Sequence, residues 1–160
     1  MSETWCLLMR RDLGAPLPLA TWPANVRVTT YGAQHAEAIH RLMALGEREG
    51  GGRVPALEVW RERFDSDPEY DPALCFIAQD EQGIVGVAQC WTSAYIKNLV
   101  VHPRAQGQGL GRALLLHAFK VFQLRREGFV DLKVLEDNQR ARRLYQSAGM
   151  RVVRREEVTA

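Results

Sequence analysis

The sequence predicts one mixed α/β (α+β) domain, in which a central sheet carries about four helices on its faces. The length of 160 residues suits a single domain. Hydrophobic residues make up 46% of the chain, which is enough for a substantial core and argues against disorder. Segments with strand periodicity and segments with helix periodicity follow one another along the chain, which predicts helices packed on a sheet.

The first half of the chain begins with a candidate strand and a connector. Residues 4–12 form a possible short strand, and the three prolines of residues 14–23 favour an extended connector. Alternating residues predict a strand over 26–31. Helical spacing of apolar residues predicts one helix over 34–45 and a second that carries Leu57, Trp60 and Phe64 on one face.

The second half contains most of the predicted sheet. A short turn at residues 80–83 predicts an antiparallel hairpin between strands 73–79 and 84–91. The remaining predicted elements are a strand over 95–101, an apolar helix over 110–124, a strand over 129–135, a helix after Asn138 whose inner face is Ala141, Leu144, Tyr145 and Ala148, and a last strand over 150–158.

Charge and cysteine content narrow the function classes. The net charge of +2 gives no basic field, so we expect no nucleic-acid or membrane partner. No stretch approaches the ~18 apolar residues of a membrane span, and the first residues do not resemble a secretory signal. Cys6, Cys75 and Cys90 form no CxxC pair, so neither a disulfide framework nor a metal site is expected. A reducing, cytoplasmic setting fits these features.

A glycine-rich turn is the most informative segment. The strand through Leu99–Val101 leads to Gly107, Gly109 and Gly111, and a helix follows at once. Small residues let several backbone N–H groups converge on one anion, and a helix N-terminus adds its own amides. A P-loop would need a lysine and a hydroxyl residue after the last glycine. A dinucleotide-binding fingerprint would need a different spacing of the glycines and a place near the start of a βαβ unit. The pyrophosphate loop of an acyl-coenzyme A enzyme, or a tight turn without a ligand, remain as interpretations.

Two motifs together resemble the GNAT superfamily of acyl-coenzyme A-dependent N-acyltransferases. The first is the loop Gln106-Gly-Gln-Gly-Leu-Gly111, and the second is the segment Leu132–Met150 with Asn138, Ala141, Leu144, Tyr145 and Gly149. Only Met150 departs from the family pattern, which has an aromatic residue there. The resemblance covers about residues 25–158 in element order, and it implies a mostly antiparallel mixed sheet.

The resemblance also implies a reaction and a set of site residues. The expected reaction is direct transfer of an acetyl (acyl) group from acetyl-coenzyme A (acetyl-CoA) to a primary amine in a ternary complex, without a metal. Tyr145 would be the catalytic acid near the thioester sulfur. The residues that would bind the co-substrate are Leu99, Val100, Val101, Gln106, Gly107, Gln108, Gly109, Leu110, Gly111, Arg112 and Asn138. For Asn138, helix capping is the simpler alternative.

The general base is missing from its usual place. Family members often carry a glutamate in the strand that here begins Thr92-Ser93-Ala94-Tyr95-Ile96, which has no carboxylate. Glu58 and Glu62 are candidates by location only, and solvated helix charges are the more common explanation. A catalytically idle acyl-CoA-binding regulatory module therefore remains an alternative, while a toxin-like enzyme acting on aminoacyl-tRNA has little support from the charge.

Several other side chains have simpler structural interpretations. We expect His35, His40, His102 and His117 to be surface or packed residues rather than catalysts. Among the arginines at 140, 142, 143, 151, 154 and 155, one or two are candidates for the 3′-phosphate of coenzyme A. The loop Gly50-Gly51-Gly52-Arg53 is either a lid over the acceptor site or a plain linker.

The N-terminal segment offers a strand that the end of the chain lacks. The family finishes with two strands after its second motif, and this chain has room for one. We therefore predict that Trp5–Arg11 supplies the missing strand, either within its own chain or by exchange in a homodimer. The corresponding domain division is an N-terminal strand and connector over 1–24 and an acetyltransferase domain over 25–160. The acceptor is expected to be either a small-molecule amine or a protein amine, and the sequence does not identify it further.

Overall fold

A computed structural model describes residues 3–48 and 53–158 as a seven-stranded sheet with helices on both faces. The strands are β1 Trp5–Asp12, β2 Arg27–Thr30, β3 Cys75–Asp80, β4 Gly83–Trp91, β5 Tyr95–Val101, β6 Phe129–Leu135 and β7 Arg151–Glu157. The helices within the described ranges are α1 Ala36–Arg48, α2 Leu57–Ser66, α3 Leu110–Leu124 and α4 Gln139–Ser147. This architecture confirms the predicted fold class.

The strand order is β2-β3-β4-β5-β6-β1-β7, and every neighbouring pair except β5–β6 is antiparallel. Consecutive strands β2 to β5 form one half of the sheet. In the other half, β6 pairs with β1 and β1 pairs with β7. The two halves meet only at β5 and β6, where one register pair joins Tyr95 to Asp131.

The N-terminal strand lies inside the sheet, between β6 and β7 of its own chain. The expected strand at Trp5–Arg11 is therefore present, and β7 rather than β1 is the edge strand. Arg10 fixes the register because its guanidinium makes two hydrogen bonds to Asp131, of 2.8 and 2.9 Å, and lies 3.7 Å from the Phe129 ring centroid. The domain division near residue 24 and a homodimer stay predictions.

The core has two parts, one on each face of the sheet. Helix α3 packs the larger part with Leu114, Phe119 and Phe122 against residues of β1, β3 and β6. Helices α1 and α2 cover the other face, where Ile39 and Phe64 belong to the smaller cluster. Along β3 the residues alternate between the two clusters, with Phe76 and Ala78 in the larger and Cys75 and Ile77 in the smaller, as the period of two in a strand requires.

Some predicted boundaries differ from the observed ones because short 3₁₀ turns replace the ends of elements. Ala33–His35 forms such a turn, so α1 begins at Ala36 rather than at residue 34. Pro72–Leu74 forms another, capped by an Asp71 carboxylate oxygen that accepts from the Ala73 amide at 2.9 Å, and β3 begins only at Cys75. Side-chain capping of a turn competes with strand pairing at such positions.

The proline-rich connector lies along α3. Gln123 donates from Nε2 to the carbonyl oxygens of Leu13 and Ala15, each at 3.1 Å, and Trp22 packs edge-on against His117. No helix in the described ranges has the length and apolar character needed to cross a membrane. The same residues contain no group of three or more histidine, cysteine, aspartate or glutamate side chains arranged for a metal ion.

Candidate active site

The glycine-rich loop joins β5 to α3 through backbone conformations that favour glycine. Gly107 has φ of +79° and Gly109 has φ of +82°, in the left-handed region that costs other residues free energy. No atom lies within 4 Å of a Cβ built at either position, so the space beside both residues is open. Gly109 is also the N-cap of α3, and the first amides of an α-helix have no partner inside the helix. The loop and the helix start thus present amides together.

Side-chain contacts fix the position of this loop. Gln106 donates from Nε2 to the Val101 carbonyl at 3.2 Å, and its Oε1 accepts from Arg140 Nη2 at 3.1 Å. Just before the loop, His102 Nδ1 accepts from the Arg104 amide at 3.1 Å. The Arg104 guanidinium binds both carboxylate oxygens of Asp80 and lowers the pKa of that carboxyl to about 2. The β3–β4 turn and α4 therefore both hold the loop in place.

Strand β5 offers a free edge on the side of this loop. Its register with β4 continues to Val101, whereas its register with β6 has the single pair Tyr95–Asp131. The strands diverge beyond that pair, so backbone groups of β5 face an opening instead of a neighbouring strand. An extended chain can add to such an edge by main-chain hydrogen bonds.

A cavity of about 660 Å³ occupies the opening between β5, the loop, α1 and α4. Its volume is within the usual range of ligand sites. Gln108 belongs to the same loop but does not line the cavity. The predicted site residues that do line it are Leu99, Val100, Val101, Gln106, Gly107, Gly109, Leu110, Gly111, Arg112, Asn138 and Tyr145.

Tyr145 reaches the cavity from α4 and is half-buried. Burial raises the pKa of its phenol, so the hydroxyl keeps its proton at neutral pH and is available as a donor. Asn138 starts the same helix, where its Oδ1 accepts from the Ala141 amide at 3.2 Å. Asn138 therefore caps the helix and also lines the cavity, which combines the two interpretations of this residue.

Cationic and amide side chains line the cavity at positions that sequence reasoning did not select. Lys97 and Asn98 lie on β5, and Asn98 donates from Nδ2 to Gln89 Oε1 at 2.8 Å. The register of β4 and β5 shifts beside this pair, so Lys97 has no opposite residue on β4. Alternation along β5 gave no signal for this shift. Arg140, one of the arginines considered for a phosphate, also lines the cavity.

The carboxylates considered as a general base lie elsewhere. Glu58 and Glu62 are exposed on α2, and neither lines the cavity. Among the described residues, the cavity lining contains no aspartate or glutamate. The proposed lid at Gly50-Gly51-Gly52 lies outside the described residues.

The histidines were expected to be surface or packed residues rather than catalysts, and all four have structural partners. His35 Nδ1 accepts from the Gly32 amide at 2.9 Å, and His40 Nε2 lies 2.7 Å from the Pro55 carbonyl. His117 packs edge-on against Phe76, and burial lowers its pKa. None of these rings, nor His102, lines the cavity.

Comparison with known families agrees with this geometry. The model of the Acetyltransferase (GNAT) family matches residues 37–150, which includes the loop, β5 and α4. The chain belongs to this family. The predicted family membership is thereby confirmed, and the family is one of acetyltransferases that use acetyl-CoA as co-substrate.

Curated relatives in this family carry the name mycothiol acetyltransferase. The protein from Beutenbergia cavernae is 34% identical over 137 residues, which is 79% of this chain and 46% of the relative. The protein from Acidothermus cellulolyticus is 32% identical over 169 residues, covering 91% of this chain and 50% of the relative. The chain thus spans about half the length of the curated relatives it matches.

Solved structures share the fold. A GCN5-related N-acetyltransferase from Sphaerobacter thermophilus superposes with a TM-score of 0.83 at 26% identity, over 100% of this chain and 53% of that one. A chain of the NatC complex, solved with Gag peptide and CoA, gives a TM-score of 0.60 at 18% identity, over 78% of this chain and 84% of that one. At such low identity the second comparison shows the fold alone.

Proposed function

We propose that the chain is an N-acetyltransferase that moves an acetyl group from acetyl-CoA directly to a primary amine of a small molecule. The observation that carries the proposal is the shared cavity, which brings the loop amides, the free edge of β5 and the Tyr145 hydroxyl to one place. Acetyl-CoA has a group for each of these features. Its pyrophosphate would bind the loop amides, its extended amide-containing arm would pair with the β5 edge, and its thioester would lie near the Tyr145 hydroxyl. The curated relatives' name supports a small-molecule acceptor.

The residues present fit acetyl-CoA as a co-substrate. The loop amides from Gly107 to Arg112 would bind the pyrophosphate, with the N-terminal end of α3 adding its dipole. The Gln106 amide, which was expected to join them, donates instead to the Pro103 carbonyl at 3.3 Å. Arg112 and Arg140 line the same end of the cavity and would supply positive charge to the phosphates. The β5 edge at Leu99–Val101 would pair with the amides of the pantetheine arm.

The reaction follows from two substrates held together. The amine nitrogen attacks the thioester carbon, a tetrahedral intermediate forms, and the carbon–sulfur bond breaks to leave an acetamide and the thiolate of CoA. Holding both reactants in line supplies much of the acceleration. The Tyr145 hydroxyl would protonate the departing thiolate, and the resulting phenolate would take the extra proton that the nitrogen carries after attack, which leaves a neutral acetamide. Backbone N–H groups of β5 would stabilise the oxyanion.

The proton on the acceptor leaves by another route. An ammonium ion must lose a proton before it can attack, and the described cavity lining has no carboxylate to take it. We therefore propose that the amine reaches the thioester in its neutral form, after losing the proton to solvent. Turnover should then rise with pH up to the pKa of the acceptor amine itself.

The same missing carboxylate favours a second candidate, a catalytically idle acyl-CoA-binding regulatory module. A thiol-release assay with acetyl-CoA and a panel of amines, amino acids, aminoglycosides and peptides separates the two. Thiol release that depends on an added amine supports the enzyme. Tight CoA binding by calorimetry with no amine-dependent release across the panel supports the idle module, and the absence of CoA binding contradicts both.

A further inference from the structure

One end of the cavity carries a lysine that has no carboxylate partner among the described residues. Lys97 is exposed and lies at the register shift of β5, and its Nζ lies 5.1 Å from the ring centroid of Trp91. None of the ion pairs found in the described part of the chain includes Lys97. Its positive charge is therefore available to a ligand.

The ring beneath this lysine is itself held firmly. Trp91 donates from Nε1 to Asp67 Oδ2 at 3.0 Å, and it stacks on Tyr95 with ring centroids 5.2 Å apart. A cation that already lies over a fixed aromatic face loses less freedom when it binds an anion. Lys97 is thus positioned by its surroundings rather than being a freely moving surface lysine.

Lys97 lies away from the cations that would serve the phosphates. Lys97 and Val101 are four residue steps apart along the strand, a span of about 13 Å, and the loop that carries Arg112 begins after Val101. The described lining contains cations at both ends and no carboxylate. Phosphates would neutralise Arg112 and Arg140, which leaves Lys97 as a cation of the described lining that pairs with neither a phosphate nor a carboxylate within salt-bridge distance.

Asn98 next to this lysine has an oriented amide. Its Nδ2 donates to Gln89 Oε1 at 2.8 Å, and Gln89 is only 6% exposed. Because a buried amide fixes one side of Asn98, the Asn98 Oδ1 is left to accept a hydrogen bond in the cavity. An amide oxygen accepts a hydrogen bond without removing the proton. Such an acceptor can therefore align a neutral amine.

We infer that Lys97 and Asn98 form the acceptor subsite and that the acceptor is a small amine carrying a carboxylate, as an amino acid does. This inference rests on the proposed acetyl transfer. The carboxylate pairs with the Lys97 ammonium, while the amine donates one N–H to Asn98 Oδ1 and turns its lone pair to the thioester carbon. Gln89 acts as a positioning residue through Asn98.

Product analogues test the subsite without requiring turnover. The CoA-loaded full chain is titrated by calorimetry with a panel of N-acetyl amino acids and with the matching N-acetyl amino acid amides, which lack only the carboxylate charge. We expect at least one acid to bind roughly tenfold or more tightly than its amide. Lys97→Met should remove that preference and Lys97→Arg should retain it. Lys120→Met, which changes an exposed lysine of α3 away from the cavity, should leave it unchanged.

Turnover gives a second readout wherever an acceptor is found. Lys97→Met should raise KM for a carboxylated amine about tenfold, with kcat and the Kd of CoA nearly unchanged, and should not raise KM for the corresponding amide. Failure of CoA itself to bind would overturn the proposed function. Normal CoA binding, with acids and amides binding equally or not at all, would overturn the carboxylate subsite and leave acetyl transfer standing.

Discussion

Replacing Gly109 with alanine tests whether the loop conformation is what binds the co-substrate. Gly109 has φ of +82°, and a Cβ built there has no neighbour within 4 Å. The substitution therefore causes no clash within the protein, and its cost comes from the backbone conformation. An L-residue in the left-handed region costs about 1–2 kcal/mol.

The cost divides between stability and affinity in a predictable way. If the loop keeps its conformation without a ligand, the strain lowers the free energy of unfolding. If the loop relaxes in the free protein, the strain returns on binding and raises the Kd of CoA. Since about 1.4 kcal/mol corresponds to tenfold in Kd, full relaxation predicts a loss of affinity of about 5- to 30-fold. A methyl group pointing at the bound phosphates would add to that loss.

Gly83→Ala is the matched control. Gly83 also has a positive φ, of +123°, and open space around a Cβ built there, but it is the first residue of β4 and does not line the cavity. Its substitution should lower stability without changing CoA affinity. Calorimetry gives the Kd of CoA, and urea unfolding gives the stability of each variant. The strain argument is refuted if Gly109→Ala changes neither quantity, and the loop assignment is refuted if both variants weaken CoA equally.

Three further substitutions test the residues around the cavity and the connector. Tyr145→Phe should lower kcat by about 10²-fold or more with an unchanged Kd of CoA by calorimetry, and a weakened Kd would contradict its role as an acid. Asn138→Ala should lower the free energy of unfolding in urea by about 1 kcal/mol because α4 loses its cap, whereas Asn138→Asp should retain most of it. Burial lowers the pKa of His117, so the unfolded chain binds a proton at a higher pH than the folded chain, and stability should fall as pH drops below about 6.5. In His117→Phe the dependence of Tm on pH between 7 and 5 should flatten, and an unchanged slope would assign the effect to other groups.

The elements with a clear period were predictable from the sequence. Strand β5, helix α3 and strand β6 occupy the predicted residues because alternation, an apolar helical face and flanking glycines all agree there. Boundaries shifted where local capping intervened, as at Asp71 before β3. The loop and Tyr145 were predictable as site candidates because two motifs with fixed spacing identify them.

The acceptor end was not predictable because it depends on register between strands. Lys97 and Asn98 belong to a strand whose alternation gives no sign of the shift opposite Gln89 and Cys90. The contact of Lys97 with Trp91 and the bond from Asn98 to Gln89 join residues of different strands, so neither can be read from one segment. The place of β1 between β6 and β7 likewise depends on pairings such as Arg10 with Asp131.

The N-terminal strand has a physical connection to the cavity. Strand β6 diverges from β5 after a single register pair, so most backbone groups on that edge of β6 have no hydrogen bond to β5. On its other edge, β6 pairs with β1 from Phe129 to Leu135, along its whole length. Because β1 also pairs with β7, that half of the sheet is a three-stranded unit that needs only one register pair with β5. The two halves can therefore separate enough to expose the β5 edge. The opening that the proposed thioester needs thus depends on β1, which holds β6 and β7 together in the other half of the sheet.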